Sequence, residues 1–146
     1  MASIFNPDSL GRWSDLSLAA LRVLTGGFLV YGTEDNVRSA ERMTEFVHFL
    51  EANNFASPAL LAPLSAYAQF VCGILLVLGL LTRWAGLVVA FNFTVAVVMV
   101  HWTQDFRAWW PAIVLVFLGL HFASAGAGRW SLDAFIFGAQ GRWDRR

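Results

Sequence analysis

The chain contains no lysine and a single cysteine, Cys72. One cysteine excludes an internal disulfide, a zinc finger and a Cys-x-x-Cys redox pair. Charge is scarce as well. Charged residues make up 14% of the 146 and cancel to zero net charge, against about 25% in an ordinary soluble domain. With no basic field to hold phosphates, nucleic acid is not an expected partner. What takes the place of charge is apolar: 58% of the residues are hydrophobic and the mean hydropathy is +0.58. That composition excludes a disordered chain and leaves an integral membrane protein, with room for one domain over residues 1–146.

The gaps between charges locate the spans, since a helix needs about 20 mostly apolar residues to cross a bilayer. No charge falls in the 31 residues between Glu51 and Arg83, the 21 between Arg83 and Asp105, or the 21 between Arg107 and Arg129. Each gap holds one span. A fourth lies near the N-terminus and is interrupted by Arg22. The predicted spans are residues 16–32, 58–81, 84–101 and 108–125. Pro58 suits a first helical turn, whereas Pro63 is either a rival start or a bend. The first span lacks a small-x-small cleavage site, so it is expected to be retained. Between the first two spans, Met43, Phe46, Val47 and Leu50 recur at helical spacing and predict a short amphipathic helix over about 36–52. Tryptophans 84, 102, 109, 110 and 130 fall near span ends, as an interfacial belt requires.

Short connections force neighbouring spans antiparallel. The expected architecture is all-α, an up-down four-helix bundle. Arg12, Arg83, Arg129, Arg142, Arg145 and Arg146 would share one side, against Arg38, Arg42 and Arg107 on the other. This bias predicts both termini in the cytoplasm.

Polar side chains inside spans are costly and need partners. At about 1.5 Å per residue, Arg22 lies roughly 9 Å inside the inner boundary and Asn92 roughly 12 Å. His121 lies about 6–8 Å inside the same boundary, and Gln69 stands near mid-membrane. Arg22, Gln69, Asn92 and His121 are therefore expected to meet on the inner half of the bundle. Two readings are open: they bond one another and fix the helices, or they form a pocket for a phospholipid headgroup or a quinone carbonyl. A second polar set, Tyr31, Asp35, Asn36 and His101 with Thr33 and Glu34 beside them, lies at the outer face. Its spacing matches no compact metal-ligand motif, which favours an interfacial hydrogen-bond cluster over a metal. Cys72 reads as a packing residue, and Gly73, on the Gln69 face, as a helix–helix contact. A lone His121 inside the spans gives no case for haem. No nucleophile–base pair or phosphate loop is visible, so no catalytic residue is nominated.

Several short stretches, in order, resemble the DoxX family of small bacterial membrane proteins. They are Leu21-Arg22, Tyr31-Gly32, Phe46–Leu50, Ala62-Pro63-Leu64, Gln69-Phe70-Val71-Cys72-Gly73, Gly79-Leu80-Leu81-Thr82-Arg83 and His101. The ending Gly126-Ala127-Gly128-Arg129-Trp130-Ser131-Leu132-Asp133 is similar to the family's Gly-Pro-Gly-x-x-Ser-Leu-Asp. The chain departs from the pattern at Tyr31, where relatives usually show histidine, and at Gln69, where many carry glutamate. The resemblance implies a four-helix protein of the bacterial inner membrane, associated with quinone-linked sulfur oxidation and oxidative-stress handling. The first functional expectation is a subunit or anchor of a larger, redox-related membrane assembly, with a protein partner or a homo-oligomer in the bilayer. The second is a quinone- or lipid-binding oxidoreductase component. The third is a small-solute transporter, weakened by the lack of a visible inverted repeat or broken helix.

Overall fold

The charge-free stretches fold as long helices. The structure, a computed structural model, describes residues 11, 13–102 and 104–136. Its elements are α1 (Ser14–Arg38), α2 (Ala40–Ala52), α3 (Pro58–Leu78), α4 (Thr82–Ala96), α5 (Phe106–Ala125) and the short α6 (Leu132–Ile136). α4 widens at its end into a π-helical turn, Val97–His101. Four of these helices, counting α4 with its π turn, are long and apolar enough to cross a membrane.

The boundaries depart from the sequence expectation for identifiable reasons. α1 reaches Arg38 rather than residue 32, and a Glu34–Arg38 i,i+4 ion pair lies along the added turns. At 25 residues, or about 37 Å, α1 outruns the hydrocarbon core. The amphipathic helix accordingly starts at Ala40, not 36, where the Ser39 hydroxyl caps it by accepting from the Arg42 N–H. α3 starts at Pro58 and carries Pro63 inside it, then stops at Leu78 rather than Leu81. Gly79 takes a left-handed conformation (φ 69°). Its N–H donates to the Leu76 carbonyl and the Leu80 N–H to the Leu75 carbonyl, the paired closure of a Schellman motif. α4 begins three residues later, at Thr82 rather than 84, and α6 has no counterpart in the sequence expectation.

The bundle is built from two hairpins. α1 packs along α3 and α4 along α5; α3 meets α4 on a shorter seam, and α1 barely touches α5. One core runs through all four helices: Leu29, Cys72, Leu76, Ala85, Val89, Leu115 and Phe122. No apolar span is more than 33% buried, so the outer surfaces are left to lipid or to other proteins.

The two hairpins share one register. At the α1–α3 crossing Gly26 faces Gly73, and a Cβ on Gly26 would lie 2.5 Å from the Gly73 carbonyl oxygen. At the α4–α5 crossing Gly86 faces Gly119, and a Cβ on either would lie 2.6 Å from the other's carbonyl oxygen. Four residues before the first glycine of each pair stand buried Arg22 and Thr82, and three after it Leu29 and Val89. Seven before the second glycine stand Ala66 and Ala112, and three after it Leu76 and Phe122. Close backbone approach is what binds helices in lipid, where apolar burial gives no net drive. The repeat runs in the same sense along the chain rather than inverted, because α1 and α4 point the same way.

Candidate functional site

Polar side chains gather at two places: the end of the bundle carrying the α3–α4 turn, and the α3–α4 seam deeper in the membrane. At the turn, Arg22 is 2% exposed. Its Nη1 donates to the Leu76 carbonyl (3.1 Å) and its Nη2 to the Trp130 carbonyl (2.6 Å). The guanidinium lies against Gly79, whose place no side chain could share: a Cβ there would stand 1.7 Å from Nη1 and 2.6 Å from Cζ. Arg22 thus finds backbone carbonyls, not the side chains of Asn92, His121 or Gln69. The end of α3 supplies one carbonyl, Leu76, which also accepts from the Gly79 N–H, and the segment after α5 supplies the other; the arginine reaches them because Gly79 leaves room.

Asp133 completes this end. Its carboxylate accepts from the Leu81 N–H (2.8 Å) and the Thr82 N–H (3.0 Å), capping α4 where Leu81 is held left-handed (φ 49°). Its own N–H donates to the Gly79 carbonyl (2.9 Å), and its charge attracts Arg22. The Ser131 hydroxyl accepts from the Ala134 N–H and so starts α6. In the second hairpin Arg83 repeats the arginine's role, donating to the carbonyls of Ala123 (3.1 Å) and Ser124 (2.9 Å) at the end of α5. Among the described residues, two buried side-chain atoms lack a hydrogen bond, Arg22 Nε and Thr82 Oγ1. Both belong to this end.

On the seam, the Ser65 hydroxyl donates to Asn92 Oδ1 (2.8 Å) and accepts from Gln69 Nε2 (3.1 Å). All three residues are half-buried. A hydroxyl that donates one bond and accepts one sets the two amides in opposite senses, so that among the described residues Gln69 Oε1 and Asn92 Nδ2 stand outside this chain of bonds. Ser65, not nominated as a site residue from sequence, is the hub. Its i,i+4 spacing from Gln69 was the available signal.

The expected four-residue cluster therefore divides. Gln69 and Asn92 come together through Ser65, Arg22 is held at the turn, and His121 stands exposed on α5 with its ring edge-on to Phe122. Depth alone suggested a meeting; rotation about α5 decides otherwise, since Phe122 rather than His121 fills the core. The second set divides too. Tyr31 and Asp35 line an open cavity of about 430 Å³ with Gly32, Glu34 and Arg38. The Asp35 carboxylate accepts from the Asn36 N–H (2.8 Å). His101 bonds instead to Gln104 (2.8 Å). Among the described residues no group of three or more His, Cys, Asp or Glu side chains could hold a metal.

Four apolar helices in antiparallel hairpins, glycine-packed and bordered by exposed Trp84, Trp130, Trp102 and Trp110, define a small integral membrane protein. The chain belongs to the DoxX family, whose model matches residues 17–102. The matched stretch runs from α1 through the π turn of α4, and α5 and the C-terminal segment lie beyond it. No curated protein and no solved structure matches significantly.

Proposed function

We propose that this protein is a membrane-embedded subunit of a larger assembly, placed in a bacterial cytoplasmic membrane with both termini inside. The observation that carries the reading is His121. It stands exposed on α5, four residues inside the end of the span. A polar ring on a lipid-facing surface is unfavourable unless something covers it, and a partner helix would. Extraction in a gentle detergent followed by mass spectrometry tests this. The wild type is expected to bring one foreign protein in stoichiometric amount, lost on His121→Leu while the bundle stays folded. A wild type that carries no protein partner overturns the reading.

A second reading rests on a different observation. On the half-buried seam Asn92 keeps its Nδ2 donor, the chemistry that would meet a quinone carbonyl or a phospholipid ester oxygen, and Gln69 keeps its Oε1 acceptor, which would meet the hydroxyl of a quinol or a headgroup. Bound quinone or lipid that survives purification without a protein partner, and is lost on Gln69→Leu, favours it over the first. The redox association stays with the family resemblance. Nothing in the described geometry favours solute transport.

A further inference from the structure

From the hydrogen bonds at the α3–α4 turn, we infer that the C-terminal segment, residues 126–136, is a latch that sets the angle between the two hairpins. It goes beyond the assembly reading and does not depend on it. Each hairpin is closed by its own glycine crossing and by an arginine on the closing carbonyls. The connection between them is of another kind. On one edge α3 and α4 share a seam; on the other, α1 and α5 barely meet. The covalent link is the turn Gly79-Leu80-Leu81, with left-handed backbone at both ends.

The segment that leaves α5 crosses this turn and fastens to both hairpins. It holds the first hairpin through the Trp130 carbonyl on Arg22 and the Asp133 N–H on the Gly79 carbonyl. It holds the second through the Asp133 carboxylate on the Leu81 and Thr82 N–H groups. Gly126 and Gly128 (φ 78° and 73°) give it the backbone to fold back. A Cβ at Gly79 would stand 2.6 Å from Ser131 Cβ, so the segment lies directly on the turn. A four-point attachment at one end of the bundle, opposite an edge with little packing, fixes the hairpin angle from that end. Released, the hairpins separate along the α1–α5 edge, because that is where packing holds them least.

The test is a pair of spin-label distances in the full chain, in a Cys72→Ala background. Labels at Tyr31→Cys on α1 and Trp110→Cys on α5, both exposed, read the angle between hairpins. Labels at Tyr31→Cys and Leu60→Cys on α3 read one hairpin internally. With Asp133→Ala, the α1–α5 distance is expected to lengthen and broaden while the α1–α3 distance is unchanged. No change in either pair overturns the latch. Change in both also overturns it, since the hairpin itself has then loosened. Where Asp133→Ala does not fold, Asp133→Asn, which keeps one acceptor, is read by the same two distances.

Discussion

Gly26 and Gly73 meet backbone to backbone across the α1–α3 crossing: a Cβ on Gly73 would stand 2.8 Å from the Gly26 carbonyl oxygen, and one on Gly26 2.5 Å from that of Gly73. Helices in lipid associate through such contacts, so the pair fixes how the first hairpin closes. Gly86 and Gly119 do the same for the second.

Gly73→Leu is therefore expected to destabilise the bundle by about 1–3 kcal/mol, the range for overpacking a tight contact. Gly119→Leu should cost a similar amount. Gly27→Leu, whose Cβ would have open space, should cost little. Thermal unfolding in detergent reads all three. An unchanged melting profile for Gly73→Leu would mean that the helices do not cross there.

Arg22→Leu should express poorly or melt early. It leaves the Trp130 carbonyl without its arginine donor and the Leu76 carbonyl with the Gly79 N–H alone, a loss of about 1.5–3 kcal/mol for a hydrogen bond to a charged group. Arg22→Lys should rescue only part of this, since one ammonium does not reproduce a planar fork that serves two carbonyls. A folded Arg22→Leu protein that has lost only a bound lipid or quinone would make Arg22 a ligand residue instead.

Gly79→Ala should be among the most damaging single methyl additions. It meets a left-handed backbone and the Arg22 guanidinium together. Gly32→Ala, in open space on α1, is the control and should melt like the wild type.

Gln69→Leu should leave the fold intact, because polar cross-links in helical membrane bundles average only about 0.6 kcal/mol. Any lipid or quinone that the seam holds should be lost with it. Retention of the same bound molecule by this variant and by Asn92→Leu would show that the seam does not bind it.

The spans were legible because charge is so thinly spread that its gaps match the bilayer. Gly73 was legible too: a glycine on the polar face of a bulky helix has few uses except close approach. The turn was not. Arg22 meets carbonyls that lie 54 and 108 residues away in sequence, and backbone carbonyls leave no trace in composition or periodicity. In the sequence Gly79–Arg83 and Gly126–Asp133 read as separate motifs; in the structure they are two halves of one contact, joined by Asp133. His121 shows the opposite limit. Its depth was readable, but its heading about the α5 axis depends on which neighbour, here Phe122, takes the core.

The arginine bias that predicts both termini inside rests partly on Arg12, Arg142, Arg145 and Arg146, which lie outside the described residues. The described arginines at the turn end, Arg83 and Arg129, are exposed, and the proposed orientation puts them in the cytoplasm. Reporter fusions after residue 146 and at Asn53, between α2 and α3, decide the matter. Two stacked hairpins crossing the membrane put these sites on opposite sides, and the proposed orientation puts the C-terminus in the cytoplasm. Both reporters on one side of the membrane would contradict four spans, and opposite sides with Asn53 in the cytoplasm would contradict the orientation.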